Sequence, residues 1–147
     1  MFLGRQPDEV VREHLSQCQA LIFPGEEDFG ITPVEAQAAG RPVIAYRGGG
    51  ALETIVSLCS EGGIREGTGV FFYPKTAEAL AQTVKSFDAS RFDSHTIQQH
   101  AKQFDIAVFR RKIKHVIDQQ YAKRKFENLS LREKGDYQCN RMKKERC

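Results

Sequence analysis

The sequence predicts an α/β protein in which a parallel sheet is covered by helices on both faces. Short apolar runs typical of buried parallel strands alternate along the chain with segments of helical periodicity. Acidic or glycine-rich loops follow the apolar runs, where the carboxyl ends of parallel strands meet. We therefore expect one three-layer domain over residues 1–126 and a basic, disordered tail over residues 127–147.

The composition indicates a globular protein with one core. The chain has 147 residues, of which 40% are hydrophobic and 28% are charged. It contains no apolar run of about eighteen residues and no basic segment followed by an apolar block, so we expect a cytoplasmic protein. Its four cysteines and four histidines share no zinc or disulfide spacing, and we therefore expect no metal and no cofactor.

The charge is unevenly distributed. Residues 110–147 carry thirteen Lys and Arg against five Asp and Glu, a net charge of +8, whereas residues 1–109 carry nine bases and fourteen acids, a net charge of −5. A basic segment of this kind can attract anionic lipid headgroups or nucleic acid. Solvated helix positions explain the same bases and are the favoured interpretation. Peripheral membrane contact through the tail is kept as an alternative, and no nucleic-acid partner is predicted.

The first elements are a strand end, a helix and a strand. Phe2 and Leu3 before Gly4 are typical of the end of a strand, so we expect the chain to begin inside a fold whose N-terminal strands are truncated. The segment PDEVVREHLSQC predicts a helix that starts near Pro7. The run ALIFP, which ends at Pro24, predicts a strand buried on both faces.

The segment that follows combines an acidic loop with a short helix. After the loop GEEDFG, the sequence TPVEAQAAG places Thr32 as an N-cap, Pro33 at the first helical position and Glu35 three residues after the cap. Gly40 is the expected end of this helix. The run PVIAY then predicts a second buried strand.

The remaining segments predict one more strand and four more helices. RGGGALETI reads as a glycine loop that leads into a helix, and GVFFY is the third strand. TAEALAQTVKSF and SHTIQQHAKQF are helical, followed by a long helix from Asp105 to Lys125. The apolar residues spaced for packing on that helix are Ile106, Phe109, Ile113, Val116, Ile117 and Tyr121.

Two acids, Glu27 and Glu35, flank the helix start eight positions apart. Ligands of open α/β sheets bind at the carboxyl ends of the strands, and a helix N-terminus is a natural seat for a phosphate or diphosphate. The local pattern alone favours two other roles. Thr32 and Glu35 match a capping box, which stabilises a helix by about 1 kcal/mol. Glu27 matches a solvated loop acid.

The sequence of this region resembles the E-x7-E signature of family 4 retaining glycosyltransferases, which have the GT-B fold. The segment EDFGITPVE, the following AQAAGRPVIA and the loop GGALETI occur in the order of that family. The resemblance covers roughly Phe2 to Tyr121 and corresponds to most of the C-terminal, donor-binding half of such an enzyme. It therefore implies a Rossmann-like domain that is one half of a GT-B fold.

The resemblance also implies roles for individual residues. Glu27 is the implied catalytic residue, which contacts hydroxyls of the transferred sugar, whereas Glu35 is implied to bind the ribose hydroxyls of the donor. The other residues implied to bind the substrate are Phe29, Gly30, Ile31 and Thr32 around the sugar and diphosphate, Gly4 and Arg5 at the nucleobase, and Gly49 at a close backbone approach.

The activity implied by the resemblance is transfer of a hexose from a nucleoside diphosphate sugar, with retention of configuration and without a metal ion. The acceptor is a glycan or a lipid-linked glycan, and the suggested sugar is mannose. The acceptor-binding half and the bases that clamp the diphosphate have no match here, since Arg5, Arg41 and Arg47 are the bases expected near the pocket. We therefore expect a fragment that needs an N-terminal half from another chain. The alternative is a noncatalytic remnant that binds nucleotides weakly or mediates protein contact.

Overall fold

The computed structural model describes residues 2–58 and 67–124. Within these ranges, three parallel strands form a sheet in the order β1-β2-β3. The strands are β1 (Leu21–Phe23), β2 (Val43–Tyr46) and β3 (Gly69–Phe72). Helices alternate with the strands, so the predicted α/β class is confirmed.

Helices surround the strands in the predicted order. They are α1 (Asp8–Gln17), α2 (Ile31–Ala38), α3 (Ala51–Thr54), α4 (Ala77–Ser86) and α5 (Ser94–Ala101), with 3-10 turns at Ala89–Arg91 and Lys102–Phe104. Residues 106–124 form a further helix, α6. The chain divides into two units, Met1–Asp105 and Ile106–Cys147. The domain boundary predicted at residue 126 and the predicted tail lie outside the described residues.

The core of the first unit lies on β2. Val43 and Ala45 are fully buried, and they form one apolar cluster with Ala36 of α2 and Ala51 at the start of α3. Ile44, which points to the opposite face of the sheet, is only 2% exposed. Full burial of a Val or Ile side chain contributes about 1.5–3 kcal/mol to the stability of the fold. β2 is therefore covered on both faces, as the sequence predicts.

The expectation of burial on both faces is wrong for β1. Ile22 is 47% exposed, although its register partner on β2, Ile44, is buried. Leu21 and Phe23 point to the other face and pack against the apolar cluster. β1 is an edge strand in the described sheet. The face of β1 on which Ile22 lies is not covered, whereas both faces of β2 are.

The predicted strand end at Phe2 and Leu3 is also not observed. Both residues are extended without strand pairing, and both side chains are exposed. Gly4 adopts a φ of +62° just after them, which turns the chain before α1 begins. A strand needs a hydrogen-bonded neighbour, and the described residues supply none here.

The start of α2 differs from the prediction in a way that matters for the site. Its N-cap is Gly30, at φ 78° and ψ 76°, and no side chain caps the helix. Thr32 is therefore the second helical residue and Glu35 the fifth, so the predicted capping box is wrong. The glycine accepts a left-handed bend at almost no cost, which lets the helix begin before Thr32.

The end of α2 is as predicted. Gly40 has a φ of +77°, its amide bonds the carbonyl oxygen of Gln37 at 2.9 Å, and the Arg41 amide bonds that of Ala36 at 2.9 Å. These two bonds form a Schellman motif, which satisfies carbonyl groups left open at a helix end. The Ser94 hydroxyl donates to the Gly40 carbonyl at 3.0 Å, so α5 is fastened to this turn.

The second unit, described over residues 106–124, consists of α6. The apolar side chains predicted to pack on this helix are exposed, from 42% for Ile113 to 75% for Tyr121. Lys114 and Asp118 form a surface ion pair of 2.9 Å on it. The helix itself is confirmed over the described residues, and its apolar stripe is exposed there.

Candidate functional site

Three loops meet at one edge of the sheet. Because β1, β2 and β3 are parallel, their carboxyl ends at Phe23, Tyr46 and Phe72 lie at the same edge. The loop after β1 spans residues 24–30, carries the acids and is called here the acid loop. The loops after β2 and β3 precede α3 and α4. This is the edge at which the sequence predicts ligand binding.

Two glycines hold the backbone of the acid loop. A Cβ at Gly49, which has a φ of +57°, would lie 2.5 Å from the Glu27 carbonyl oxygen, and one at Gly50 would lie 2.4 Å from that of Asp28. The Gly50 amide donates to the Glu27 carbonyl at 2.7 Å. A larger residue at either position would push the loop after β2 away from the acid loop. The Glu27 side chain remains exposed while its main chain is fixed.

The N-terminus of α2 presents backbone hydrogen-bond donors at the same edge of the sheet. The N–H groups of Gly30, Ile31 and Thr32 precede the first intrahelical hydrogen bond, and Pro33 has no N–H group. Gly30 is buried, whereas Ile31 is 66% exposed. A helix N-terminus also carries a partial positive charge. The arrangement can therefore bind an anionic group such as a phosphate.

Lys75 is a cation at this edge that the sequence reasoning missed. Its ammonium lies 3.4 Å from Glu26 of the acid loop and 4.9 Å from the centre of the Tyr46 ring. Lys75 thereby connects the loops after β1 and β3 with the last residue of β2. Its position two residues after the third predicted strand was the available signal, because a parallel strand delivers its following residues to this edge.

Arg41 lies away from the acid loop and contacts Ser16, which lines the same groove as Glu35. Arg41 lies just before β2, at the amino end of the strand, and its guanidinium donates to the Ser16 carbonyl at the end of α1. A residue that precedes a parallel strand lies at the edge opposite the loops that follow the strands. Arg5 and Arg47 are exposed. Arg47 directly follows β2 and so lies at the carboxyl edge.

Glu35 lines a groove between α1 and α2. The groove has a volume of about 710 Å³, and its polar lining comes from Asp8, Arg12, Ser16 and Glu35. Its apolar lining includes Leu15 and Ala38. The Glu35 side chain is exposed in it.

Gly4 and Thr32 line a different groove. That groove has a volume of about 530 Å³ and is mostly apolar, with Val10 and Leu21 among its walls. Val11 and Leu15 of α1 line both grooves, so the two grooves are adjacent. The structure therefore distributes the predicted residues over the acid loop and the two grooves beside α1.

Phe29 extends from the acid loop onto the segment after α5. Its ring meets that of Phe104 edge-to-face, with centroids 5.7 Å apart and planes at 76°. The Phe29 side chain is still 44% exposed. Edge-to-face pairs of this kind contribute about 0.5–1.5 kcal/mol. Phe29 is thus held on one side and open on the other.

The described residues contain neither a metal-binding cluster nor a membrane-spanning helix. No group of three or more His, Cys, Asp or Glu side chains in residues 2–58 and 67–124 could hold a metal ion. No helix within those ranges combines the length and the apolar character needed to cross a membrane. Cys18, at the end of α1, is a free, partly buried thiol.

The fold and its carboxyl edge define an α/β domain with a parallel sheet, whose glycine-rich turns and open helix N-terminus lie at the carboxyl ends of the strands. The chain belongs to the family of group 1 glycosyl transferases, whose family model matches residues 1–104. The resemblance drawn from the E-x7-E segment is thereby confirmed at the level of the family.

Curated relatives match the chain over part of its length. The alpha-1,3/1,6-mannosyltransferase ALG2 of Dictyostelium discoideum is 56% identical over 57 residues, which is 38% of this chain and 14% of that protein. ALG2 of Rhizomucor pusillus is 32% identical over 90 residues, which is 60% of this chain and 18% of that protein. Glycogen synthase 2 of Bradyrhizobium diazoefficiens is 39% identical over 95 residues, 63% of this chain and 19% of that protein. The chain thus spans less than a quarter of these relatives.

Solved structures share the fold. The sucrose-phosphate synthase from Thermosynechococcus elongatus superimposes with a TM-score of 0.67 at 26% identity, covering 83% of this chain and 30% of that one. The Anabaena protein HepE, solved with UDP and glucose, gives a TM-score of 0.57 at 24% identity, covering 81% of this chain and 32% of that one. The described domain is therefore one half of a GT-B fold.

Proposed function

We propose that this chain supplies the donor-binding part of a retaining glycosyltransferase that transfers a hexose from a nucleoside diphosphate sugar. Membership of the group 1 family supports sugar transfer. The acceptor in this proposal is a glycan or a lipid-linked glycan. The chain spans 14% and 18% of two of its relatives, and the proposal is therefore limited to the donor-binding part of such an enzyme.

One observation carries the proposal. The Gly50 amide and the glycine backbone beside it fix the main chain of Glu27 and Asp28, directly before the open N-terminus of α2. A side-chain carboxylate and a set of backbone donors are thus presented at the same edge of the sheet. A diphosphate needs the donors, and a sugar with several hydroxyls needs the carboxylate.

The proposed roles follow from this placement. Glu27 accepts hydrogen bonds from hydroxyls of the transferred sugar, and the backbone of residues 29–32 holds the sugar and the diphosphate. Glu35, in the groove between α1 and α2, binds the ribose hydroxyls. Gly4 and Arg5 lie beside the nucleobase, and Gly49 provides the close backbone approach.

The chemistry of this proposal is departure of the diphosphate through an oxocarbenium-like transition state. Negative charge builds on the leaving group, and the α2 dipole and the amides of Ile31 and Thr32 stabilise it. These groups are fixed before the reaction, so they need no reorganisation. The proposal accordingly includes no metal ion, and activity should survive a chelator such as EDTA.

Mannose is the sugar that we propose. Two of the relatives described above are named as mannosyltransferases, one of them 56% identical over the aligned segment. We further propose a cytoplasmic protein that can associate with a membrane surface through the basic segment after residue 109, whose net charge is +8. Flotation with anionic liposomes at low and high salt tests the second statement, because electrostatic attachment weakens as salt rises.

Calorimetric titration of the full chain with GDP, UDP and ADP tests nucleotide binding. We expect Glu35→Ala to lower the affinity for the bound nucleotide about tenfold or more, since each hydrogen bond to a charged group contributes about 1.5–3 kcal/mol. Glu13→Ala is the matched control, because Glu13 is an exposed acid on α1 whose side chain contacts Gln17. It should leave the affinity unchanged.

A second titration separates the sugar from the nucleotide. If Glu27 contacts the sugar, Glu27→Ala should weaken GDP-mannose binding while leaving GDP binding as in the wild type. Equal loss for both ligands would remove Glu27 from the sugar subsite. Absence of binding for every nucleotide would leave the interpretation of a noncatalytic remnant that mediates protein contact.

A further inference from the structure

The carbonyl oxygen of Thr54 receives two side-chain donors. Thr54 is fully buried and is the last residue of α3. Nε2 of Gln37, on α2, donates to this oxygen at 3.0 Å, and Nε2 of His100, on α5, lies 3.1 Å from it. Carbonyl groups in the last turn of a helix lack intrahelical partners. Gln37 and His100 together therefore cap the C-terminus of α3.

The opposite end of α3 is bonded to the acid loop. The Thr54 hydroxyl donates to the Gly50 carbonyl at 3.0 Å, and the Gly50 amide donates to the Glu27 carbonyl at 2.7 Å. Because α3 has only four residues, a shift of its capped end is transmitted to Gly50 within one turn. His100 is thus connected to the main chain of Glu27 through Thr54 and Gly50.

A second connection runs through aromatic rings. The His100 ring lies 5.7 Å from that of Phe104, at an interplanar angle of 70°. Phe104 in turn meets Phe29 of the acid loop edge-to-face at 5.7 Å. His100 therefore supports the acid loop at two separate points, the carbonyl of Glu27 and the ring of Phe29.

We propose that His100 is a positioning residue that sets the conformation of the acid loop through Thr54 and through Phe104. It contacts no part of the proposed substrate and acts only through these neighbours. The consequence for ligand affinity rests on the function proposed above. The conformational consequence does not, because it concerns the protein alone.

The positions of the two ring nitrogens of His100 determine which substitutions test its role. A bond to the Thr54 carbonyl oxygen requires a hydrogen on Nε2 of His100, which leaves Nδ1 as an acceptor. The side-chain amide nitrogen of Gln103 lies 3.0 Å from Nδ1 and 3.2 Å from Nε2. A glutamine side chain places an N–H group near the position of Nε2, whereas an asparagine reaches only that of Nδ1. His100→Gln should therefore keep the bond to Thr54, and His100→Asn should lose it.

Amide hydrogen exchange of the full chain measures the effect on the loop. Loss of one hydrogen bond should accelerate exchange of the Gly50 amide roughly fivefold to tenfold in His100→Asn. The Val43 amide, which donates to Thr68 between strands of the core, reports global opening and should change less than about twofold. His100→Gln should restore the Gly50 rate.

His95→Asn is the matched control. His95 is an exposed histidine on the same helix, and within residues 2–58 and 67–124 its ring forms a hydrogen bond with Gln99 alone. It should leave both exchange rates unchanged. Phe104→Leu tests the second connection, because it removes the aromatic contact and should shift the amide resonance of Phe29 while the Gly50 rate stays as in the wild type.

Titration of the full chain with GDP and UDP measures the effect of His100 on nucleotide affinity. The affinity of the nucleotide that the wild type binds should fall about threefold to tenfold in His100→Asn and recover in His100→Gln. If the wild type binds neither nucleotide, the proposed function fails, and the exchange data still decide the role of His100.

Three results would overturn the positioning role. The first is an unchanged Gly50 rate in His100→Asn. The second is an equal acceleration at Gly50 and Val43, which would mean that the residue only stabilises the fold. The third is a His100→Gln variant that behaves like His100→Asn, since the bond from Nε2 would then carry no effect.

Discussion

The amide of Gly50 donates a hydrogen bond of 2.7 Å to the carbonyl oxygen of Glu27. The acid loop is therefore held by its main chain, and the Glu27 carboxylate forms no hydrogen bond or ion pair with the part of the chain that the structure describes. The main chain of Glu27 thus stabilises the loop, whereas its side chain is available for ligand binding. A change of the side chain should alter ligand binding without moving the loop, whereas a change of the glycines should do both.

Gly49→Ala should destabilise the fold by about 2–5 kcal/mol. A left-handed backbone costs a non-glycine residue about 1–2 kcal/mol, and overpacking adds about 1–3 kcal/mol. The added Cβ would meet the Glu27 carbonyl oxygen at 2.5 Å. Gly4→Ala is the control, because Gly4 has a similar φ of +62° with no atom within 4 Å of the added Cβ. Urea unfolding measures both, and an equal loss in the two variants would contradict the clash.

Thr76→Ala should cost about 1 kcal/mol of stability, the usual contribution of an N-cap. The Thr76 hydroxyl accepts from the Ala79 amide at 3.2 Å at the start of α4. Thr32→Ala should leave the stability nearly unchanged, because α2 has no side-chain cap. Thermal unfolding followed by circular dichroism compares the two variants. A larger loss for Thr32→Ala would restore the capping box that the sequence suggested.

The Lys75 and Glu26 pair should contribute less than about 1 kcal/mol to stability, because both side chains are half-exposed. A double-mutant cycle with Lys75→Met and Glu26→Gln measures the coupling between them. The coupling should shrink further in 0.5 M salt, at a Debye length of about 4 Å. A coupling that is large and independent of salt would show that the pair is shielded from solvent.

Acid should weaken the turn at Asp88. The side-chain and backbone hydrogen bonds from Ser90, aided by Arg91, hold the pKa of Asp88 below its ordinary value. A depressed pKa in the folded state means that the stabilisation is complete above the ordinary value and is lost as the pH falls below about 4. Asp88→Asn should therefore flatten the fall in stability over that window, as should Ser90→Ala. A wild-type slope in both variants would contradict this assignment.

The order of the elements could be predicted from the sequence, because alternating apolar runs and helical periods leave few arrangements for the chain. Gly40 was predictable as a helix end, since glycine at that position follows a regular helix and precedes a strand. The start of α2 was not, because two capping signals compete there. Thr32 offers a side-chain oxygen, and Gly30 offers a left-handed backbone, which the loop geometry selects.

The sequence predicted only those parts of the site that are formed by residues close together in the chain. The acid loop and the glycines of the next loop are visible as motifs, and the structure brings them together. Lys75 and His100 are distant in sequence from Glu27, and neither belongs to a motif. Their contacts depend on how β3 and α5 pack onto the same edge, which no local pattern encodes.

β1 has a practical consequence for work with the isolated chain. Three residues long and paired on one side within the described sheet, it leaves main-chain donors and acceptors open next to the exposed Ile22. An open strand edge of this type recruits extended segments from other molecules. Concentrated samples should therefore aggregate, light scattering should rise with protein concentration, and a charged residue in place of Ile22 should improve solubility.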